Sequence, residues 1–304
     1  MSIFISVAAY QDPTLERTLK QAIEQADKPN ELIFAICLQY SEEPDISFIP
    51  ESQKKIIRFD PQTRPGVVKV RNLLKEMYDN EDYFLQIDSH MQFDKSWDTI
   101  LIRQFKELQK FANKDKVIIS TPRDFPRRQD RGYSVLKVRS VADREFVTFF
   151  ASNSTAPDTK DKFYKSNYIR CGMIFSDREF ANTIKFSKYN HAFEEEAYLT
   201  FSSIISGWSI YELPYHTVIW HSPKEYLEKV WDQTTVKSFS GAYEDNKFER
   251  YEFSLAYIYN DYSKYKVDTA VMSAKDFWNE LGLSKEYELQ KQKMDNLINN
   301  YFIL

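Results

Sequence analysis

Glycine is scarce in this 304-residue chain: there are six, and none falls in a GxGxxG or Walker-type phosphate loop. A nucleotide cradled by a glycine-rich turn is therefore not expected. Cysteine is scarcer still. Cys37 and Cys171 each lie in an apolar run, make no disulfide framework and read as buried thiols. Charge of one sign is also lacking. Lys and Arg number 41 against 45 Asp and Glu, a formal net charge of −4, so no pull toward nucleic acid is implied. There is no membrane-length apolar run and no leader-like opening, and residues 3–9 already read as a strand. A cytoplasmic protein without a transmembrane segment is expected; an anchor upstream of residue 1 is the alternative. Only four histidines, His90, His191, His216 and His221, are available for imidazole chemistry.

Aromatic residues are plentiful, with 23 Phe and 20 Tyr. They are enough to build a large core and to line a sugar or base pocket. Apolar runs at 3–9, 31–40, 54–59 and 83–88 alternate with helical stripes. The first stripe is Leu15, Leu19, Ile23 and Ala26; the second is Val67, Val70, Leu74 and Met77. Alternation of this kind predicts an α/β layer with a mixed, mainly parallel central sheet and helices on both faces. Asp12 is placed to cap the first helix, with Pro13 at its first position, and Ser96 to cap a third helix. That third helix carries the stripe Trp97, Leu101, Phe105, Leu108 and Ala112.

A strand at 117–121 is followed by a polar, basic stretch at 122–134, read as a loop over the site. Further along come an antiparallel pair at 133–139 and 145–151, a buried strand within 163–176, a helix from 193 ended by Gly207, and short strands near 208–212 and 215–221. From residue 223 the pattern is helical. The expected division is a catalytic domain over 1–222 and a helical extension over 223–304 packed on it.

The stretch with most chemistry is 83–98, YFLQIDSHMQFDKSWD. Its apolar run from Tyr83 to Ile87 ends in Asp88-Ser89-His90. Ligands of open α/β sheets bind beyond the carboxyl ends of strands. Asp88 and His90 are two apart, so in extended geometry they share a side, and a carboxylate with an imidazole can hold a divalent cation. The plainer alternative makes Asp88 a turn cap and His90 an ordinary loop residue. His221 ends the run TVIW; two strand ends in one sheet can converge, which makes it a candidate third ligand or else a partly exposed strand end. His216 reads as structural.

Arg64, Lys69 and Arg71 flank Gly66 at a helix start, where cations suit a phosphate. Lys69 reads as solvated, whereas Arg71 lies beside the apolar stripe. Arg71→Ala is expected to weaken nucleotide binding with little loss of stability. Glu194, Glu195 and Glu196 open the helix from 193, which the helix dipole favours. Alternatively, one of these carboxylates accepts hydrogen bonds from sugar hydroxyls or orients an acceptor.

The 83–98 stretch resembles the YFLQIDSHMRF…WD core of the polypeptide α-N-acetylglucosaminyltransferases of glycosyltransferase family 60, the group that includes the Skp1 hydroxyproline enzymes. Three further segments match in the same order. SVAAYQD (6–12) resembles the family's SIASYRD, GVVKVR (66–71) its GPxxAR, and 191–211 together with His221 its GEE…GW…H block. The resemblance implies a GT-A fold, UDP-GlcNAc as donor, a divalent metal (usually Mn2+), retention at the anomeric carbon and a protein hydroxyl as acceptor. It also implies roles by position. Asp88, His90 and His221 would bind metal, with Asp88 also catalytic and nucleotide-binding. Tyr10, Asp12, Arg64 and Arg71 would lie by the nucleotide, and Glu195 and Glu196 by the sugar and acceptor.

Gln11, Val67, Val70, Glu194 and Ser202 depart from the family pattern, which leaves acceptor and sugar identity open. The expected chemistry is a front-face transfer in which the leaving phosphate takes the acceptor proton. The alternatives are a same-fold transferase building a polysaccharide or glycolipid, a silent glycan- or protein-binding module, and a metal hydrolase.

Overall fold

Residues 3–10, IFISVAAY, send alternate side chains into two different layers, and this sets the plan of the molecule. A computed structural model of the chain describes residues 1–63, 65–120, 123–124, 134–141, 149–155, 162–186, 192–213, 216–222, 254–260 and 266–301. The strands are β1 (Ile3–Tyr10), β2 (Leu32–Gln39), β3 (Lys54–Arg58), β4 (Tyr83–Asp88), β5 (Met91–Phe93), β6 (Val117–Ser120), β7 (Arg123–Asp124), β8 (Ser134–Val141), β9 (Phe149–Thr155), β10 (Tyr164–Ser166), β11 (Met173–Asp177), β12 (Ser209–Glu212) and β13 (Ile219–His221). The helices are α1 (Leu15–Glu24), α2 (Val67–Lys75), α3 (Trp97–Ala112), α4 (Arg178–Thr183), α5 (Ala192–Ile205), α6 (254–259), α7 (Ala274–Glu280) and α8 (Ser284–Tyr301).

Eight strands form the main sheet in the order β10-β12-β6-β11-β4-β1-β2-β3. β3, β2, β1 and β4 are parallel, as are β6 and β12; β11 runs antiparallel to both β4 and β6, and β10 to β12. This is the mixed, mainly parallel sheet that the alternation predicts, with β4 in its interior. Ile3, Ile5, Val7 and Ala9 pack with Leu15, Leu19, Trp97, Leu101 and Phe105, on the α1 and α3 side. Phe4 and Ala8 pack with Val70 and Leu74 on the α2 side. A sheet covered on both faces needs apolar residues at both parities, which is why its strands read as continuous apolar runs.

The structure differs from the sequence reading in several places. The strand expected within 163–176 is two: β10 at the sheet edge and β11 inserted between β6 and β4, with the turn at 167–172 carrying the chain inward. The antiparallel pair is β8 with β9, whose second strand lies four residues later than expected. Thr14, not Asp12, holds the N-cap position of α1; Asp12 Oδ1 accepts from the Thr14 N–H at 2.8 Å and its hydroxyl at 2.7 Å, a turn just ahead of the helix. Ser96 stands at the N-cap of α3 in the left-handed region, φ 60°, and its hydroxyl goes to Asp27 instead of capping.

Gly207, at φ +87°, ends α5 as expected, with the Gly207 and Trp208 N–H groups returning to Ile204 and Ser203 carbonyls. α5 is buried along nearly its whole described surface. Phe201 meets Tyr257 of α6 and Phe277 of α7 edge-on, at 5.1 and 5.0 Å between ring centres. Leu255, Trp278, Leu281 and Met294 belong to the same core. Residues 223–253 lie outside the described residues.

Candidate functional site

Asp88 is the last residue of β4, between β1 and β11. Its N–H donates to the Gly172 carbonyl at 3.1 Å, which fixes the strand end. The chain then turns through Ser89 and His90 into β5. Thr18 of α1 holds this turn: its hydroxyl lies 2.9 Å from the Ser89 carbonyl and 3.1 Å from that of Met91, and it accepts the Met91 N–H at 3.0 Å.

His221 reaches the site by a route other than the expected one. β13 is not in the main sheet; it belongs to a three-stranded sheet, β5-β13-β7. β13 pairs antiparallel with β5, His221 opposite Met91, so His221 arrives beside His90 because β5 follows the turn directly. The Ser222 N–H donates to the His90 carbonyl at 2.8 Å, and Arg17 of α1 donates to the Ser222 hydroxyl at 2.9 Å. The other neighbour of β13 is β7, with Asp124 opposite His221, so the basic stretch begins beside the site.

Asp88, His90 and His221 each offer a ligand atom, and these atoms all lie within 4.8 Å of one another. His221 Nε2 is 3.2 Å from Asp88 Oδ2, and His90 Nε2 is 3.9 Å from the same oxygen. The two rings stack at 5.5 Å. All three side chains are partly exposed, Asp88 most at 26%.

Behind His90 stands Asp12. Its Oδ2 is 3.0 Å from His90 Nδ1 and 2.6 Å from the Ser89 hydroxyl. Burial works against the charge on Asp12, but the hydrogen bonds from His90, Ser89 and Thr14 outweigh it and hold the carboxyl at about 2. An ionised carboxylate only accepts, so Nδ1 carries a proton toward Asp12, and Nε2 is the ring nitrogen turned toward Asp88. A carboxylate behind an imidazole is the arrangement that orients metal-ligating histidines. The donor set of one carboxylate and two imidazoles fits a divalent cation such as Mn2+ or Zn2+.

On the opposite side of Asp88 is Arg71. Its guanidinium donates to Asp88 Oδ1 at 2.9 Å and to Glu195 Oε2 at 2.6 Å, and it is only 7% exposed. The flanking carboxylates keep it charged despite burial. Burial opposes ionisation of Asp88 as well, but the His221 hydrogen bond and the Arg71 charge bring its carboxyl down to about 2. Glu195 is 1% exposed, and burial pushes its carboxyl up against the pull of Arg71. The structure thus makes Glu195 a buried counter-ion of Arg71. Glu196 is half-buried and accepts the Cys171 N–H at 3.0 Å.

Tyr10 ends β1, half-buried; Ala8 pairs with Asp88, so Tyr10 lies on the same face and edge as the carboxylate. Lys69 is exposed, as expected. His216 is exposed, with its carbonyl accepting from Gln104, and stands apart from the cluster. Arg64, His191 and Arg127, Arg128 and Arg131 lie outside the described residues. Sequence reasoning missed Thr18, Arg17 and Gly172. Of these, only Gly172 left a signal: a rare glycine inside an otherwise apolar strand approach.

Among solved structures, GalNAc-T7 with UDP, GalNAc and Mn2+ is similar at 12% identity and a TM-score of 0.53; the match covers 99% of this chain and 58% of that one. Residues 1–349 of S. aureus TarS in complex with UDP-GlcNAc are similar at 12% identity and 0.55, covering 95% and 72%. This chain therefore spans little more than half the length of GalNAc-T7, and at such identity the likeness is one of fold, the GT-A glycosyltransferase fold. No curated protein matches the chain. The family model described as glycosyltransferase (GlcNAc) matches residues 2–65 and 47–277, most of the sequence, and the chain belongs to that family.

Proposed function

We propose that this protein is a metal-dependent, retaining transferase of the family 60 polypeptide type, moving GlcNAc from UDP-GlcNAc to a hydroxyl of a protein acceptor. The observation that carries the reading is the meeting of Asp88, His90 and His221 at the carboxyl end of an interior strand. The UDP and Mn2+ of the GalNAc-T7 structure and the UDP-GlcNAc of the TarS structure support the donor class. Among the described residues, no helix is long and apolar enough to cross a membrane. We take 1–222 as the catalytic unit and 223–304 as its packed extension.

A divalent cation at the triad supplies charge neutralisation for the diphosphate as the UDP leaves. Asp12 fixes the tautomer of His90. Glu195 holds Arg71, and Arg71 holds Asp88 while adding positive charge on the nucleotide side. Tyr10 offers a ring to the uracil or ribose; Arg64 is assigned to the nucleotide by the sequence resemblance alone. Glu196 lies toward the sugar and acceptor. In the front-face reaction the bond from the anomeric carbon to the UDP oxygen breaks, the acceptor oxygen bonds on the same face, and its proton passes to the departing phosphate.

A panel of UDP-sugars tests the reading through UDP release and thermal protection, each with and without Mn2+. UDP-GlcNAc should give the largest Mn2+-dependent signal in both. Equal response to every sugar, or turnover of simple phosphoesters in place of UDP-sugars, counts against it.

A further inference from the structure

We infer that Gly172 keeps the centre of the triad open, and that its missing side chain is what admits a cation between Asp88 and His221. Gly172 precedes β11, directly opposite Asp88: the Asp88 N–H donates to its carbonyl, and the next register pair is Met173 with Ile87. Residues directly opposed across an antiparallel pair send their side chains to the same side. A Cβ at 172 would therefore enter the space of the Asp88 carboxylate. It would stand 2.9 Å from Asp88 Oδ2, 2.9 Å from His221 Nε2 and 3.2 Å from His221 Cε1. Carbon contacts are comfortable only from about 3.5 Å outward.

Both crowded polar atoms are ligand atoms, and neither side chain is loose. Asp88 is held through Oδ1 by Arg71, and His221 is stacked on His90 and carried by a paired strand. For either to yield, the triad must open. The backbone does not demand glycine here. Gly66, Gly207 and Gly282 have positive φ, whereas Gly172 is not among the positive-φ glycines of the described residues. What remains to explain the residue is the space it leaves.

This inference rests on the reading of the triad as a cation site, and the experiment separates the two. Mn2+ binding is measured by electron paramagnetic resonance and calorimetry for the wild type and Gly172→Ala, with melting of both in chelator. The wild type should bind Mn2+. Gly172→Ala should lose about tenfold or more in affinity, as disturbed ligand shells do, while its melting in chelator stays cooperative. Wild-type affinity retained in Gly172→Ala overturns the inference and leaves the cation site standing. A wild type that binds no divalent cation overturns both. If Gly172→Ala does not fold, the methyl should cost nothing in an Asp88→Ala, His221→Ala background, where both side chains that it meets are gone; a methyl at 172 that still lowers the melting temperature of that background overturns the inference.

Discussion

His90 presents Nε2 to Asp88 because its Nδ1–H donates to Asp12, and Asp12 can accept because Ser89 and Thr14 keep it ionised in a buried place. Asp12→Asn should lower Mn2+ affinity about 10- to 100-fold by calorimetry, since the ring loses its anchor. It should also change the acid response. The folded-state value of Asp12, about 2, lies below its ordinary 3.8. Its contribution, about 2 kcal/mol, is therefore complete above pH 4 and lost as pH falls toward 2. Urea melts at pH 7 and pH 2.5 should show wild type and variant converging at the lower pH. At Arg71 the expectation of a stability-neutral variant is revised. Arg71→Ala leaves Glu195 and Asp88 as uncompensated carboxylates, so it should cost about 3–5 kcal/mol in a denaturant melt, and Glu195→Gln much less. Asp88 and His90 were legible as a pair because two-residue spacing at a strand end is local. The tie from Arg71 to Glu195 spans 124 positions and is set by the packing of α5 on α2, which no local pattern encodes.

Two elements hold the ligands in register: α1, through Thr18, clamps the turn after β4, and β13, paired to β5, delivers His221. Thr18→Val keeps the shape of the side chain but orphans the Met91 N–H, so it should cost about 1–3 kcal/mol and loosen Mn2+ binding more than Val68→Ala on α2 does. A Thr18→Val protein that binds Mn2+ like the wild type would detach the clamp from the site. The strands of the main sheet could be read because each is an apolar run covered on both faces. β13 could not be read correctly: its three residues pair outside that sheet, and their partner, β5, is equally short. The same small sheet places β7, Arg123–Asp124, beside β13. We therefore expect that replacing Arg123, Arg127, Arg128 and Arg131 lowers transfer to a protein acceptor more than hydrolysis of UDP-GlcNAc, because the charged stretch that carries them begins at β7, and charged segments near a site select partners. Equal loss of both activities would assign the stretch to the donor.

Across the whole molecule, the eight-stranded sheet brings the ends of β1 and β4, the start of β11 and the N-terminal halves of α2 and α5 to one edge, and the small sheet adds His221 there. The parallel half, β3-β2-β1-β4, was legible from strand-helix alternation. The entry of β11 between β4 and β6 was not, because a strand running against its neighbours carries the same apolar code as one running with them. Yet this antiparallel strand places Gly172 opposite Asp88. The central claim is that the triad formed at this edge binds the cation on which donor binding depends. The most direct measurement is thermal unfolding of wild type, Asp88→Asn and His221→Ala, with and without Mn2+ and UDP together. At ligand about 100-fold above its dissociation constant the wild type should gain about 2.7 kcal/mol, and both variants should fold yet gain almost nothing. Variants stabilised as much as the wild type would contradict the account.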